Sequence, residues 1–287
     1  MAELLRGSEV VAALSRDLAP AVSALEARGV TPTLAIVRVG EREDAVSYER
    51  SATRRAREVG VRPRSMHLPS EVTTEGLMDA VTGLNRDDSV HGVLVLHPLP
   101  SHVDEHAVRN ALAPEKDVDG ITDLSLASVF TGGTTGFPPC TAAACLEMLD
   151  HYRITCEGRR AVVIGRSLVV GRPLAMMLLG RHATVDIAHS RTRDLPALVR
   201  EADIVVACVG RARMIGGSCL SEGQVVMDVG INVAADGTLV GDVDFAAAQA
   251  KAAALTPVPG GVGTVTTSVL VKHVVAAAGK AEDACGR

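Results

Sequence analysis

Twice along this chain of 287 residues, short β-rich runs alternate with stretches of helical periodicity, and that alternation leaves few folds open. Repeated β–α–β order implies parallel sheets flanked by helices, because a strand can return parallel only through a crossover that covers the sheet face. In the first half, Val10, Val11, Leu14, Leu18, Val22 and Leu25 recur at helical spacing and predict a helix over 8–28, capped by Ser8, ended by Gly29 and kinked at Pro20. Strands are expected at Thr33–Val39, 61–68 and 92–96, with Pro63 marking a strand start or an edge. Helices are expected at 47–59 and from the seventies to Leu84. The second half repeats the pattern: strands at 161–164, Thr184–Ala188, 204–208 and 225–229, with helices at 141–152, after Gly171, at 195–201 and at 266–278. The alanine-rich stretch 246–254 reads as a plain helix, and the Gly-, Thr- and Pro-rich stretch 124–140 as a domain boundary. The expected fold class is therefore α/β in two domains, 1–138 and 139–265, followed by a last helix in 266–287.

Composition agrees and excludes several partners. Hydrophobic residues make up 47% of the chain but aromatics only 2%, which suits parallel-sheet cores of Val, Ile, Leu and Ala. With no Trp, two Tyr, three Phe and a formal net charge of −5, the chain lacks both a stacking platform and a basic face for nucleic acid. Six cysteines lie far apart with no C-x-x-C pair, so neither a zinc site nor a disulfide framework is expected, and no metal is called for. There is no apolar signal region after Met1 and no uninterrupted apolar run of membrane length. The expectation is a cytoplasmic protein without a membrane partner.

One loop carries chemistry. Gly165-Arg166-Ser167-Leu168-Val169-Val170-Gly171-Arg172-Pro173 follows a hydrophobic strand and opens a helix. Gly165 permits a tight turn, Gly171 a close backbone approach, and the free N–H groups at the helix start favour phosphate. The G-x(5)-G spacing differs from the usual dinucleotide fingerprint, so context must carry the reading. The next strand runs into His189-Ser190-Arg191, where a dinucleotide fold meets the adenosine ribose. No carboxylate stands there to hold a free 2′-hydroxyl; Ser190 and Arg191 suit a 2′-phosphate, which favours NADP while leaving NAD possible. Asp228 and Asp242 read as acceptors for loop N–H groups rather than as catalytic groups.

These segments, together with Thr33–Gly40 and Tyr48, Pro98-Leu99-Pro100, Lys116-Asp117-Val118-Asp119-Gly120, Pro139-Cys140-Thr141, Asp228–Asn232, Gly241–Phe245 and Pro257–Gly263, resemble the bifunctional methylenetetrahydrofolate dehydrogenase/methenyltetrahydrofolate cyclohydrolase family along nearly the whole chain. The resemblance implies an N-terminal folate-binding domain completed by the C-terminal helix, a Rossmann-type NADP-binding domain, an active-site cleft between them, and a homodimer. It implies that Tyr48 stacks on the folate and Asp119 holds the pterin ring, and that Pro257, Gly260 and Gly261 border folate and nicotinamide. Ser167, Ser190 and Arg191 would contact the cofactor phosphates, Gly165, Arg166 and Gly171 would belong to the same cofactor-binding loop, and Gly210 and Ile231 would neighbour the nicotinamide. A tyrosine in so aromatic-poor a chain suits a flat heterocycle, and a carboxylate can pair with the pterin's donor edge.

The departures fall on the catalytic wall. The family places a lysine four residues after the tyrosine, and here that residue is Ala52; its glutamine before Leu-Pro-Leu-Pro is here Leu96. Ala45 replaces a serine, and the final loop continues Gly263-Thr264-Val265-Thr266 instead of G-P-M-T. Hydride transfer from the methylene bridge can rest largely on orientation of two rings, whereas hydrolysis of the methenyl product benefits from general acid–base catalysis. The expected activity is therefore a dehydrogenase with weak or absent cyclohydrolase. The alternatives are a bifunctional enzyme using another base such as His97, and a non-catalytic folate or nucleotide regulator. Arg54 and Arg55 are expected to attract the anionic glutamate tail.

Overall fold

Burial rises wherever β-branched residues cluster, and those runs become the strands of two parallel sheets. The computed structural model describes residues 2–285. In chain order the elements are β1 (Glu3–Leu4), α1 (Gly7–Ala27), β2 (Thr33–Val39), α2 (Glu43–Glu58), β3 (Arg62–Leu68), α3 (Thr74–Asn85), β4 (Gly92–Val95), α4 (Glu105–Ala111), α5 (Asp123–Thr131), α6 (Cys140–His151), β5 (Arg160–Ile164), α7 (Gly171–Leu179), β6 (Thr184–Ala188), α8 (Leu195–Arg200), β7 (Ile204–Ala207), β8 (Val225–Asp228), β9 (Asn232–Val233), β10 (Leu239–Val240), α9 (Phe245–Gln249), β11 (Ala254–Leu255) and α10 (Val262–Cys285). The chain forms two compact units, one made of residues up to Ala12 with Thr141–Thr266, the other of Ala13–Cys140 with the chain from Thr267 onward.

The second of these units holds a three-stranded sheet in the order β3-β2-β4, all parallel. Every residue of central β2 is buried, while β3 at the edge alternates in exposure and tolerates Pro63, whose missing N–H costs an edge strand little. Ala35, Val37, Val93 and Val95 pack with Leu77, Val81 and Leu84 of α3 in one cluster. Each such side chain contributes roughly 1.5–3 kcal/mol on leaving water. Thr73 caps α3 by accepting from the Gly76 N–H, and Asp104 caps α4 by accepting from the Ala107 N–H.

The other unit holds a six-stranded sheet, β1-β11-β8-β7-β5-β6, every pair parallel. From β5 onward this is the doubly wound order 2-1-3-4-5, whose ligand crevice lies outside the carboxyl ends of the strands where the winding reverses.

Five expectations need correction. The first dozen residues do not join the N-terminal unit; Glu3 and Leu4 pair with Ala254 and Leu255, which draws them to the six-stranded sheet. The domain boundary falls only at the end of 124–140, between Cys140 and Thr141, and the first half of that stretch lies in α5, capped by Thr122 and stopped by Gly132 at φ 71°. Of the alanine-rich stretch 246–254, only α9 is helical, and Ala254 already belongs to a strand. Arg55 is not free to attract a glutamate tail: it is buried and donates to Ser15 and Ser268 while pairing with Glu58. Helix α10 starts earlier than expected, at Val262, and is long and apolar enough by composition to cross a membrane, yet 67% of that stretch is buried within the protein.

Candidate active site

The nucleotide half is built at the carboxyl ends of β5, β6 and β7. Ile164, Ala188 and Ala207 are in register across those strands, so the loops that follow them emerge side by side. Gly165 has φ 137°, donates to the Ala188 carbonyl at 2.9 Å, and lies so close to Cys208 that a Cβ would stand 2.6 Å from its sulfur. Gly171 faces back onto the same turn, where a Cβ would collide with the Gly165 carbonyl. Two backbone approaches thus fix the G-x(5)-G spacing. The Ser167 hydroxyl turns inward and accepts from the N–H groups of Val170 (3.2 Å) and Gly171 (3.4 Å). The N–H groups of Arg166, Ser167, Leu168 and Val169 have no acceptor among the described residues, which leaves a cluster of donors at the start of α7. Arg166, Ser190 and Arg191 are exposed, and among the described residues neither arginine has an ion-pair partner. A phosphorylated nucleotide fits these groups.

Two buried carboxylates shape the neighbouring loops. Asp242 accepts from the N–H groups of Val209, Gly210 and Arg211 and from the Asn232 amide. Asp228 accepts from Gly230, Asp242 and Val243. Burial pushes the Asp228 carboxyl up to about 6 despite those donors. Each aspartate occupies the space that a side chain would need at the other's glycine: Gly241 abuts Asp228, and Gly230 abuts Asp242. Both are structural, as the sequence suggested. They hold Gly210 at φ 66° and leave Ile231 60% exposed at the same end of the sheet. Pro257, Gly260 and Gly261 follow β11 there, with the Gly260 carbonyl accepting from the N–H of Gly7 at 2.8 Å.

A second candidate site lies within the three-stranded unit, around two aspartates two residues apart. Asp117 is fully buried and accepts from the N–H groups of Gly120, Ile121 and Thr122 and from the Ser125 hydroxyl, so it is spent on its own loop. Asp119 is only partly buried, and burial together with the neighbouring Asp117 charge raises its carboxyl to about 6, partly offset by the Cys140 thiol. Tyr48 stands close enough to feel both: burial, then Asp119, then Cys140 push its phenol well above the usual range. Of the two tyrosines, Tyr152 is tied to Arg6 through both main-chain groups, which leaves Tyr48 as the phenol facing Asp119. Ala52, one turn beyond Tyr48, is completely buried, and Leu96 is 6% exposed. His97 lies against α4, its Nδ1 3.5 Å from Glu105, and among the described residues neither ring nitrogen has a hydrogen-bond partner; burial holds it below its ordinary range.

Comparison with known proteins decides the family. Residues 5–119 match the catalytic domain of tetrahydrofolate dehydrogenase/cyclohydrolase, and residues 139–282 match its NAD(P)-binding domain. The chain belongs to the tetrahydrofolate dehydrogenase/cyclohydrolase family. It is 44% identical over 277 residues to the bifunctional protein FolD of Alkaliphilus oremlandii, covering 96% of this chain and 97% of the relative. Among solved structures it resembles the bifunctional FolD of Campylobacter jejuni, with 36% identity, a TM-score of 0.95 and coverage of 98% and 99%. It also resembles the Trypanosoma brucei dehydrogenase–cyclohydrolase complexed with NADP and an inhibitor, with 36% identity, a TM-score of 0.91 and coverage of 97% and 98%. The doubly wound unit is thus the NAD(P)-binding domain of the family, and the three-stranded unit its catalytic domain. Within the catalytic domain the geometry adds two residues that sequence reasoning left without a role. Cys140 lay in a motif already singled out; His273, buried in α10, gave no signal beyond helical periodicity.

Proposed function

We propose that this protein oxidises 5,10-methylenetetrahydrofolate to 5,10-methenyltetrahydrofolate with NADP, with weak or absent cyclohydrolase activity, as a cytoplasmic homodimer in one-carbon metabolism. NADP, when bound, supplies the hydride acceptor. Arg166 and the unpaired N–H groups of residues 166–169 serve its pyrophosphate, and Ser190 and Arg191 its 2′-phosphate; the NADP complex of the trypanosomal relative supports that choice. The fixed backbone at Gly210 and Ile231 borders the nicotinamide. Tyr48 and Asp119 bind and orient the folate, the carboxylate accepting from the pterin donor edge and the phenol remaining protonated beside it.

The observation that carries the monofunctional part is Ala52. Its methyl group is fully buried one helical turn beyond Tyr48, where the family resemblance expects a lysine, and Leu96 stands where a glutamine would orient it. Neither side chain can take or give a proton. The relatives' bifunctional names favour a second reading, in which another base activates water. His97, with its unbonded ring nitrogens beside Glu105, is the candidate. Purified enzyme with methylenetetrahydrofolate and NADP separates the two readings: NADPH formation with methenyltetrahydrofolate accumulating is expected, its decay close to the uncatalysed rate. Loss of a general acid–base group costs roughly 10²–10⁴-fold, so enzyme-dependent hydrolysis matching the dehydrogenase step would refute the monofunctional reading. Absence of NADPH formation would leave a binding protein without catalysis.

A further inference from the structure

The carbonyl of Val118, one residue before Asp119, receives two side chains from distant parts of the catalytic domain. His273 Nδ1 lies 2.8 Å from it and Cys140 Sγ 3.1 Å, the two donors being 3.7 Å apart. A carbonyl only accepts, so the His273 proton sits on Nδ1. Burial keeps that imidazole neutral, with its pKa down at about 4. The ring is further fixed by stacking on Phe137, centroids 4.9 Å apart at 27°, and Lys280 lies 4.8 Å from the Phe137 centroid. The carbonyl of Val118 and the Cα of Asp119 belong to one planar peptide, so turning that plane swings the Asp119 side chain. On its far side the Asp119 main chain is already held, its carbonyl accepting from the Cys140 N–H at 3.2 Å and Gly120 standing at φ 73°. On the near side a thiol is a weak donor, which leaves the imidazole as the strong one.

We propose that His273 is a positioning residue for the folate site: by donating Nδ1–H to the Val118 carbonyl it fixes the peptide that carries Asp119, and so sets where the carboxylate meets the pterin. The proposal rests on Asp119 being the pterin acceptor. His273 itself touches no substrate. Its loss therefore weakens folate binding and leaves the NADP-binding domain and the chemical step largely alone.

The test uses the full-length enzyme and NADPH formation. His273→Phe keeps a ring against Phe137 and removes the donor; His273→Asn keeps a donor of similar reach. Losing one hydrogen bond predicts a KM for methylenetetrahydrofolate raised about 10-fold in His273→Phe, with kcat within about 3-fold and the KM for NADP unchanged; His273→Asn should restore most of the loss. Should the larger ring prevent folding, His273→Ala takes its place with the same expectation. An unchanged folate KM in the folded donor-less variant overturns the proposal, as does a fall in kcat alone or failure of His273→Asn to recover. Asp119→Asn assayed in parallel separates the two levels: normal folate kinetics there removes the parent reading, whereas impaired kinetics there with normal His273→Phe removes only this one.

Discussion

Gly171 packs face to face with Gly165, so that a Cβ on Gly171 would stand 2.8 Å from the Arg166 nitrogen and closer still to the Gly165 carbonyl. The obstacle is backbone on both sides, and no side chain can turn away to relieve it. Gly171→Ala should therefore cost about 1–3 kcal/mol, the usual range for overpacking. It should also spread the loop whose N–H groups face the phosphates, raising the NADP dissociation constant at least about 10-fold. Thermal melting with and without NADP checks both; an alanine variant with wild-type cofactor affinity would show that the loop does not hold phosphate.

Arg191 is exposed, follows β6, and has no ion-pair partner among the described residues. If it meets the 2′-phosphate, Arg191→Ala should raise the KM for NADP about 10-fold or more, as expected for loss of a charge-assisted contact. The KM for NAD should hardly move. Equal effects on both cofactors would remove that assignment.

Asp119 should reveal a trade between binding and stability. Its folded pKa of about 6 lies above the ordinary value of 3.8, so the folded state takes up the proton first. The carboxyl thus disfavours folding when charged, and wild-type stability gains a contribution as pH falls from 7 through 6 toward 4. Asp119→Asn removes the charge at every pH. It should be more stable than wild type at pH 7, by up to about 3 kcal/mol, and the difference should shrink toward pH 4. The same variant should bind folate poorly, and wild-type folate affinity should itself fall as pH drops through about 6. Melting curves at pH 7 and pH 4.5, paired with folate KM values, test both arms.

Glu49, beside Tyr48 in sequence, joins three strand positions to α2. Arg38 donates to it at 2.7 Å and His67 lies 2.9 Å away, with the Ser65 hydroxyl closing the set. Burial pushes the Glu49 carboxyl up, but Ser65, His67 and Arg38 together bring it below its ordinary range. Glu49→Ala leaves a buried guanidinium with fewer partners, and removing one member of a buried pair costs about 3 kcal/mol or more. Replacing both members, Arg38→Leu with Glu49→Leu, should recover much of the stability. Urea denaturation of the single and double variants would show it; equal losses in both would mean that the pair does not act as a unit.

What the sequence made legible follows the range of the forces involved. Thr33–Val39 stands out because a central parallel strand, buried on both faces, is rich in apolar and β-branched residues, and the strand has those bounds; Thr184–Ala188 also has its expected bounds, although as an edge strand only Ala188 in it is buried. The start of α10 was placed too late, since Gly263 and Thr264 look like loop residues until the helix is seen to begin at Val262. Strands β1 and β11 were invisible: two residues each, held by partners some 250 positions apart in sequence. Asp119 was legible through its motif, but the distinction between it and Asp117 depends on which carboxylate the loop N–H groups consume. His273 was out of reach for the same reason, because its partner Val118 lies 155 residues away.

The threading of the chain has a practical consequence for anyone hoping to treat the two halves as interchangeable modules. It leaves one unit after Ala12, returns at Thr141 and departs again after Thr266. A gene fragment spanning 141–266 would encode the NAD(P)-binding domain without β1, and β11 would then present a bare edge to other chains. Excising 13–140 would likewise drop the part of α10 that carries His273. Swapping either half between relatives therefore needs three splice points rather than one, and a tag joined directly at Glu3 would abut a paired strand instead of a loose end.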